Sequence, residues 1–200
     1  MRVIQGGILL ELDELYRTCR SVRRFEQRPV PEKVLHEMLE HARLVSCASN
    51  KLPLRYIVVK SPDMVAAMQP LMKWAALLPP EIGAPKEDEL PTAFVVVIQA
   101  AGAGAFRDVD TGIAVSAMTM TAWKEGVGSC IMGSINVPKV RELLHIASAD
   151  TPRLALALGY PKQTGYTVDV PVGADIKYYL DEQGCFVVPK YQMADIVRIV

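Results

Sequence analysis

The 200-residue sequence has no excess of charge: 22 Lys and Arg balance 22 Asp and Glu. The pI is near 6.8. Without a polybasic stretch it lacks the electrostatic footprint of a nucleic-acid binder, and no such partner is expected. It also has no long hydrophobic run. The weakly polar stretch Ala93–Phe106 is too short and too broken by glycine to span a bilayer, so no membrane partner is expected. The opening MRVIQGGILLELDEL turns acidic at Glu11 and has no small-residue cleavage site, so no signal peptide is expected. Cysteine is scarce and scattered. Cys19, Cys47, Cys130 and Cys185 form no CxxC pair, which in a chain with a full core points to reduced thiols and a cytoplasmic location. The three histidines, His36, His41 and His145, have no metal-ligand spacing.

Familiar catalytic fingerprints are missing too. There is no GxSxG, no P-loop lysine and no HExxH. Two glycine clusters fall short of a dinucleotide turn. Gly102-Ala103-Gly104 follows a strand pattern, but Arg107 fills the third glycine slot. Gly126-Val127-Gly128 runs from helix into strand, the reverse of the required order, and Ile131 fills its third slot.

What is present is enough apolar material for a core. Half the residues are hydrophobic and 22% are charged, which excludes global disorder and suits one domain over 1–200. A mean hydropathy of +0.19 with zero net charge points to buried subunit contacts. Apolar spacing predicts helices over Glu11–Arg20, from Pro31, from Ser61-Pro62-Asp63, over Asp108–Glu125 and over Pro138–His145. Strands are predicted at Leu54–Lys60, Ala93–Ala100, Gly128–Gly133 and Arg153–Gly159. Leu78–Pro91 carries four prolines and is expected as one long loop. The last quarter, 163–200, is turn-rich, with a hairpin pattern from Lys177 to Val188 and a short helix from Gln192. The order indicates a mixed sheet covered by helices, followed by a C-terminal arm. The long helix is full of small residues (Gly112, Ala114, Ser116, Ala117, Thr119), which places it centrally or at an interface.

Three stretches carry possible chemistry. Cys19-Arg20-Ser21-Val22-Arg23-Arg24-Phe25 follows a helix, and its arginines either complement the helix dipole or form an anion clamp. Ser46-Cys47-Ala48-Ser49-Asn50 reads as a polar turn. Gly126–Gly133 reads as a tight helix-to-strand connection with Met132 in the core.

In this order the stretches resemble the nitroreductase family of flavin enzymes over nearly the whole chain. Arg20-Ser21-Val22-Arg23-Arg24-Phe25 and Pro29-Val30-Pro31 match the family's opening motifs. Ser46 to Leu54 matches its turn into a strand. Asp110-Thr111-Gly112-Ile113-Ala114 through Gly133 matches its helix and following strand, and Ala157–Pro161 and Ile176–Lys190 its strand end and tail. The resemblance implies an α+β homodimer with a largely antiparallel mixed sheet flanked by helices, an extended arm over 163–200, and one FMN in each of two sites between subunits. Arg20, Ser21 and Arg23 would then serve phosphate, ribose and the flavin ring. Ser46, Cys47, Ala48 and Asn50 would come from the partner subunit. Ile131, Met132 and Gly133 would line the flavin edge, and Lys190 would be a tail cation. The implied reaction passes electrons from NAD(P)H through FMN to a small organic acceptor, such as a nitro compound or quinone, and requires no protein acid or base.

The sequence departs from the pattern at Cys19, where the motif has arginine, at Ser46-Cys47 in place of Pro-Ser, at Leu52 and Leu54 in place of Gln and Trp, and at Tyr191 in place of a second tail cation. These changes bear on FMN affinity more than on fold. Two other readings remain: a flavin- or ligand-binding dimer with little turnover, and a thiol redox protein using Cys47 and Cys130.

Overall fold

The computed structural model describes residues 3–4, 7–8, 12–75 and 78–200. Its helices are α1 (Leu12–Thr18), α2 (Glu32–Leu44), α3 (Pro62–Met68), α4 (Arg107–Lys124) and α5 (Val137–Leu143), with further short turns of helix. The main sheet contains β1 (Phe25–Glu26), β2 (Leu54–Val59), β3 (Ala93–Gln99), β4 (Gly128–Met132) and β5 (Thr151–Pro161).

The strand AFVVVIQ explains the layering. All seven residues of β3 are buried, and successive side chains of a strand point to opposite faces. Val95 and Val97 join Val34, Leu35 and Met38 of α2 and Ala114, Val115 and Met118 of α4 in one core. Phe94, Val96 and Ile98 join Val65 and Met68 of α3 and Val140 of α5 in a second core on the other face. The sheet is thus a middle layer between two helical layers. Within it β3 lies between β2 and β5, and the far edge of β5 pairs with β4 and then β1. Every one of these pairings is antiparallel.

Helix boundaries follow local chemistry. α2 starts after Pro31 and α3 carries Pro62 in its first turn, where the missing N–H costs nothing. α4 ends before Gly126, whose φ of 75° is a left-handed conformation that glycine adopts freely.

Three expectations need amendment. The 78–91 segment is not a plain loop, since it includes helical turns at Pro80–Gly83 and Glu87–Glu89. The mixed character does not lie among the main strands. It lies in a second sheet made of β6 (Gly165–Val170), β7 (Tyr179–Leu180) and β8 (Phe186–Tyr191), where β8 is parallel to β6 and antiparallel to β7. The hairpin and the helical turn at Met193–Ile196 were expected, but β6 was not. Residues 165–191 therefore fold into a three-stranded unit with Phe186 and Val187 buried, where an extended arm was expected.

Candidate functional site

Two glycines create the channel in which the Arg20–Phe25 segment lies. A Cβ on Gly128 would meet Val22 Cγ2 at 2.6 Å, and one on Gly159 would meet Phe25 Cδ1 at 2.9 Å. Their bare backbones let the segment press against β4 and β5. Ser21 bridges Ser129 in parallel register, and Val22 N–H donates to the Ser129 carbonyl at 2.8 Å. On the other side Gln163 Oε1 accepts from the N–H groups of Arg23 and Arg24 at 2.8 and 3.0 Å, and Gln163 Nε2 donates to the Ser21 carbonyl. Gln163 sits in a polar turn with no motif around it, so nothing local marked it as the staple of this segment.

The segment's backbone is thus fixed, while two of its three arginines have no carboxylate partner among the described residues. The Nε atoms of Arg20 and Arg23 are buried and have no hydrogen-bond partner. Neither arginine is ion-paired among the described residues. Arg20 donates to the Tyr16 carbonyl through Nη2. The Arg23 guanidinium lies over the rings of Tyr178 and Phe186. Arg24 is different: it donates to the Ile82 carbonyl at 3.1 Å and lies 3.5 Å from Glu89. Ser21 is exposed. Cys19, where the motif has a cation, is half-buried, and burial pushes its thiol up, so it is neutral near pH 7.

On β4, Ile131 is half exposed, whereas Met132 is buried in the second core. Gly133 is exposed, and a Cβ there would have no atom within 4 Å. Ile131 faces a groove of about 320 Å³ that it shares with Thr111, Gly112, Val115 and Arg153. The bridge through Ser129 sets Ser21 beside β4, two residues before Ile131. Cys130, between them, is buried. Burial pushes its thiol up and the neighbouring Arg23 partly offsets this.

Ser46, Cys47, Ala48 and Asn50 lie elsewhere, between α2 and β2. Ser49, Asn50 and Leu52 have φ of 52°, 51° and 47°, left-handed conformations that cost a non-glycine residue roughly 1–2 kcal/mol. Asp110, only 4% exposed on α4, accepts from the Ala48 N–H at 2.8 Å and pins the turn. Cys47 Sγ accepts from the Leu52 N–H at 3.1 Å. Ser46 and Cys47 line a cleft of about 420 Å³ with Leu39, Tyr56 and Asp110; this cleft and the groove at Ile131 both border α4 but share no lining residue. Lys190 is exposed on β8, paired in register with Asp169.

All four cysteines are free. Among the described residues no cluster of His, Cys, Asp and Glu could hold a metal, and no helix is long and apolar enough to cross a membrane.

The fold is thus a three-layer α+β arrangement in which Arg20 and Arg23, next to β4, form no ion pair among the described residues. The comparisons with known proteins identify this fold. The Nitroreductase family profile matches residues 16–160, and the chain belongs to that family. The NADH dehydrogenase of Thermus thermophilus is 26% identical over 174 residues, covering 74% of this chain and 85% of that protein. A nitroreductase family protein from Clostridium novyi NT superposes with a TM-score of 0.65 at 23% identity, covering 76% of this chain and 88% of that one. An FMN-dependent nitroreductase from Clostridium difficile R20291 gives a TM-score of 0.62 at 18% identity, with 72% and 84% covered.

Proposed function

We propose that this protein is an FMN-dependent oxidoreductase that passes electrons from NAD(P)H to a small organic acceptor such as a nitro compound or quinone. The observation that carries the reading is the pair of buried, unpartnered guanidinium nitrogens on Arg20 and Arg23, set along β4 in a member of the nitroreductase family. These residues fit FMN. A phosphate brings nearly two negative charges and takes charge-assisted hydrogen bonds from arginine and hydroxyl donors. Arg20 and Ser21 would hold the phosphate and ribose. Arg23 would sit toward the flavin ring, where its charge favours the reduced form. Ile131, Met132 and the open backbone at Gly133 would lie along the flavin edge, with Lys190 as a further cation.

Bound FMN would supply hydride acceptance and donation. The protein's part is to hold it, bias its potential and leave one face open to both substrates in turn. The turn of Ser46, Cys47, Ala48 and Asn50 would complete the site from the partner subunit of a homodimer. The exposed apolar residues Val109 and Ile113 of α4, with Leu12 and Tyr16 of α1, offer the surface for that dimer. We read 1–200 as one domain, and the free thiols suit a cytoplasmic location.

Cys19 favours a second reading, a flavin-binding dimer with little turnover, because a neutral thiol cannot replace the motif's first cation. An absorbance spectrum after incubation with excess FMN and desalting tests the proposal. A retained flavin band that NADH or NADPH bleaches is expected. A band that neither donor bleaches selects the second reading, and no band rejects both.

A further inference from the structure

The Arg23 guanidinium is flanked by aromatic faces and, among the described residues, by no carboxylate. Its Cζ lies 4.6 Å from the ring centroid of Tyr178 and 5.5 Å from that of Phe186. The difference matters electrostatically. A carboxylate partner would cancel the charge and occupy the donors, whereas a π face orients the cation and leaves its N–H groups to a ligand. Arg24 shows the other solution one residue away, spent on Glu89 and the Ile82 carbonyl. Gln163 fixes the Arg23 backbone, so the side chain's direction is what remains to be set. Phe186 is buried as part of the small sheet's own packing. Tyr178 is half-buried immediately before β7. Its ring face packs against the Arg23 guanidinium.

We propose that Tyr178 is a positioning residue for the cofactor, its ring holding the Arg23 guanidinium in the orientation in which its charge and donors meet the flavin. The inference rests on the reading of Arg23 as a flavin contact. It adds a role for the C-terminal unit, whose Tyr178 acts across the fold on a residue 155 positions earlier in the chain.

FMN is titrated into apoprotein by fluorescence quenching, and the midpoint potential of the bound flavin is measured, for wild type, Tyr178→Leu, Tyr178→Phe, Arg23→Ala and the Arg23→Ala, Tyr178→Leu double variant. Leucine keeps bulk but has no π face, so folding is preserved. Tyr178→Leu is expected to weaken FMN about three- to thirtyfold and to lower the potential. Tyr178→Phe is expected to stay within about twofold of wild type, since its ring face is intact. In the Arg23→Ala background Tyr178→Leu is expected to add nothing. Weakening by Arg23→Ala with no effect of Tyr178→Leu overturns the positioning role and leaves the flavin clamp standing. An undiminished effect of Tyr178→Leu in the double variant also overturns it, since the ring then acts without Arg23. No weakening by Arg23→Ala overturns the clamp itself, and the inference with it.

Discussion

Arg23 and Arg24 are neighbours with opposite duties, and substitution separates them. Arg23 keeps its charge unpaired, so Arg23→Ala is expected to lose a charge-assisted hydrogen bond to FMN worth roughly 1.5–3 kcal/mol. That is about ten- to over a hundredfold in affinity, at ~1.4 kcal/mol per decade. No ion pair is broken, so stability should fall by only about 0.5–1 kcal/mol, through the lost contacts with the Tyr178 and Phe186 rings. Arg24 sits at the motif's variable position, which alone would suggest a neutral substitution. Its bond to Ile82 and its contact with the buried Glu89 say otherwise. Arg24→Ala is expected to destabilise the fold by about 1–3 kcal/mol through the partners it leaves unsatisfied, with FMN affinity unchanged. Fluorescence titration and thermal denaturation of both variants make the check. Equal FMN affinities for both variants and wild type would mean that the opening segment has been misread as a clamp.

At the scale of elements, the Ser46–Asn50 turn is an unusual structure held by a distant side chain. Two left-handed non-glycine residues, Ser49 and Asn50, lie in it, with a third at Leu52 just beyond, and Asp110, 62 positions from Ala48, anchors it by accepting the Ala48 N–H. Asp110→Ala is expected to cost about 1–3 kcal/mol of stability and to weaken FMN, whereas Asp110→Asn keeps a carbonyl acceptor and should be milder. Ser49→Gly fits a φ of 52° without strain and should be tolerated, while Ser49→Pro, locked near φ −65°, should break the turn. Thermal denaturation with FMN titration ranks the four, and an intact turn in Ser49→Pro would contradict the strain argument. The turn's place was legible in its polar sequence, and so was the strand Ala93–Gln99, an unbroken apolar run that two helical layers must cover. The holding contacts were not legible. Asp110 and Gln163 act on residues 62 and 140 positions away, and no local pattern encodes such pairs. Strand β6, GYTVDV, alternates weakly, and its partner Phe186–Tyr191 reaches it only after the chain has passed through β7. The two helical turns in 78–91 were hidden by prolines that serve equally well to start a turn of helix.

At the scale of the whole molecule, the two halves of the proposed site lie on different parts of one chain. The arginine clamp runs along β4, and the Ser46–Asn50 turn closes a separate cleft beside α2. Each could be completed by the other half from a second copy, and the apolar face of α1 and α4 offers the contact surface. Isologous contact would then create two equivalent sites, each with the clamp of one subunit and the turn of the other. Mixing two defective variants distinguishes this arrangement from a site within one chain. Arg23→Ala has a poor clamp and a sound turn, and Ser49→Pro has a sound clamp and a poor turn. In a mixed dimer one site receives both lesions, and the other receives the sound clamp with the sound turn. Refolding or subunit exchange of an equal mixture makes about half of the dimers mixed, so about a quarter of the wild-type number of tight FMN sites should reappear. If clamp and turn of the same chain formed the site, every chain in the mixture would carry one lesion and no tight site could return. The measurement is FMN stoichiometry at a concentration well above the wild-type Kd and below that of either variant, with sedimentation of the same samples to verify that they are dimers. Recovery near one quarter supports a site shared across the dimer. A stoichiometry no higher than that of the unmixed variants, in samples that sediment as dimers, places the whole site within a single chain.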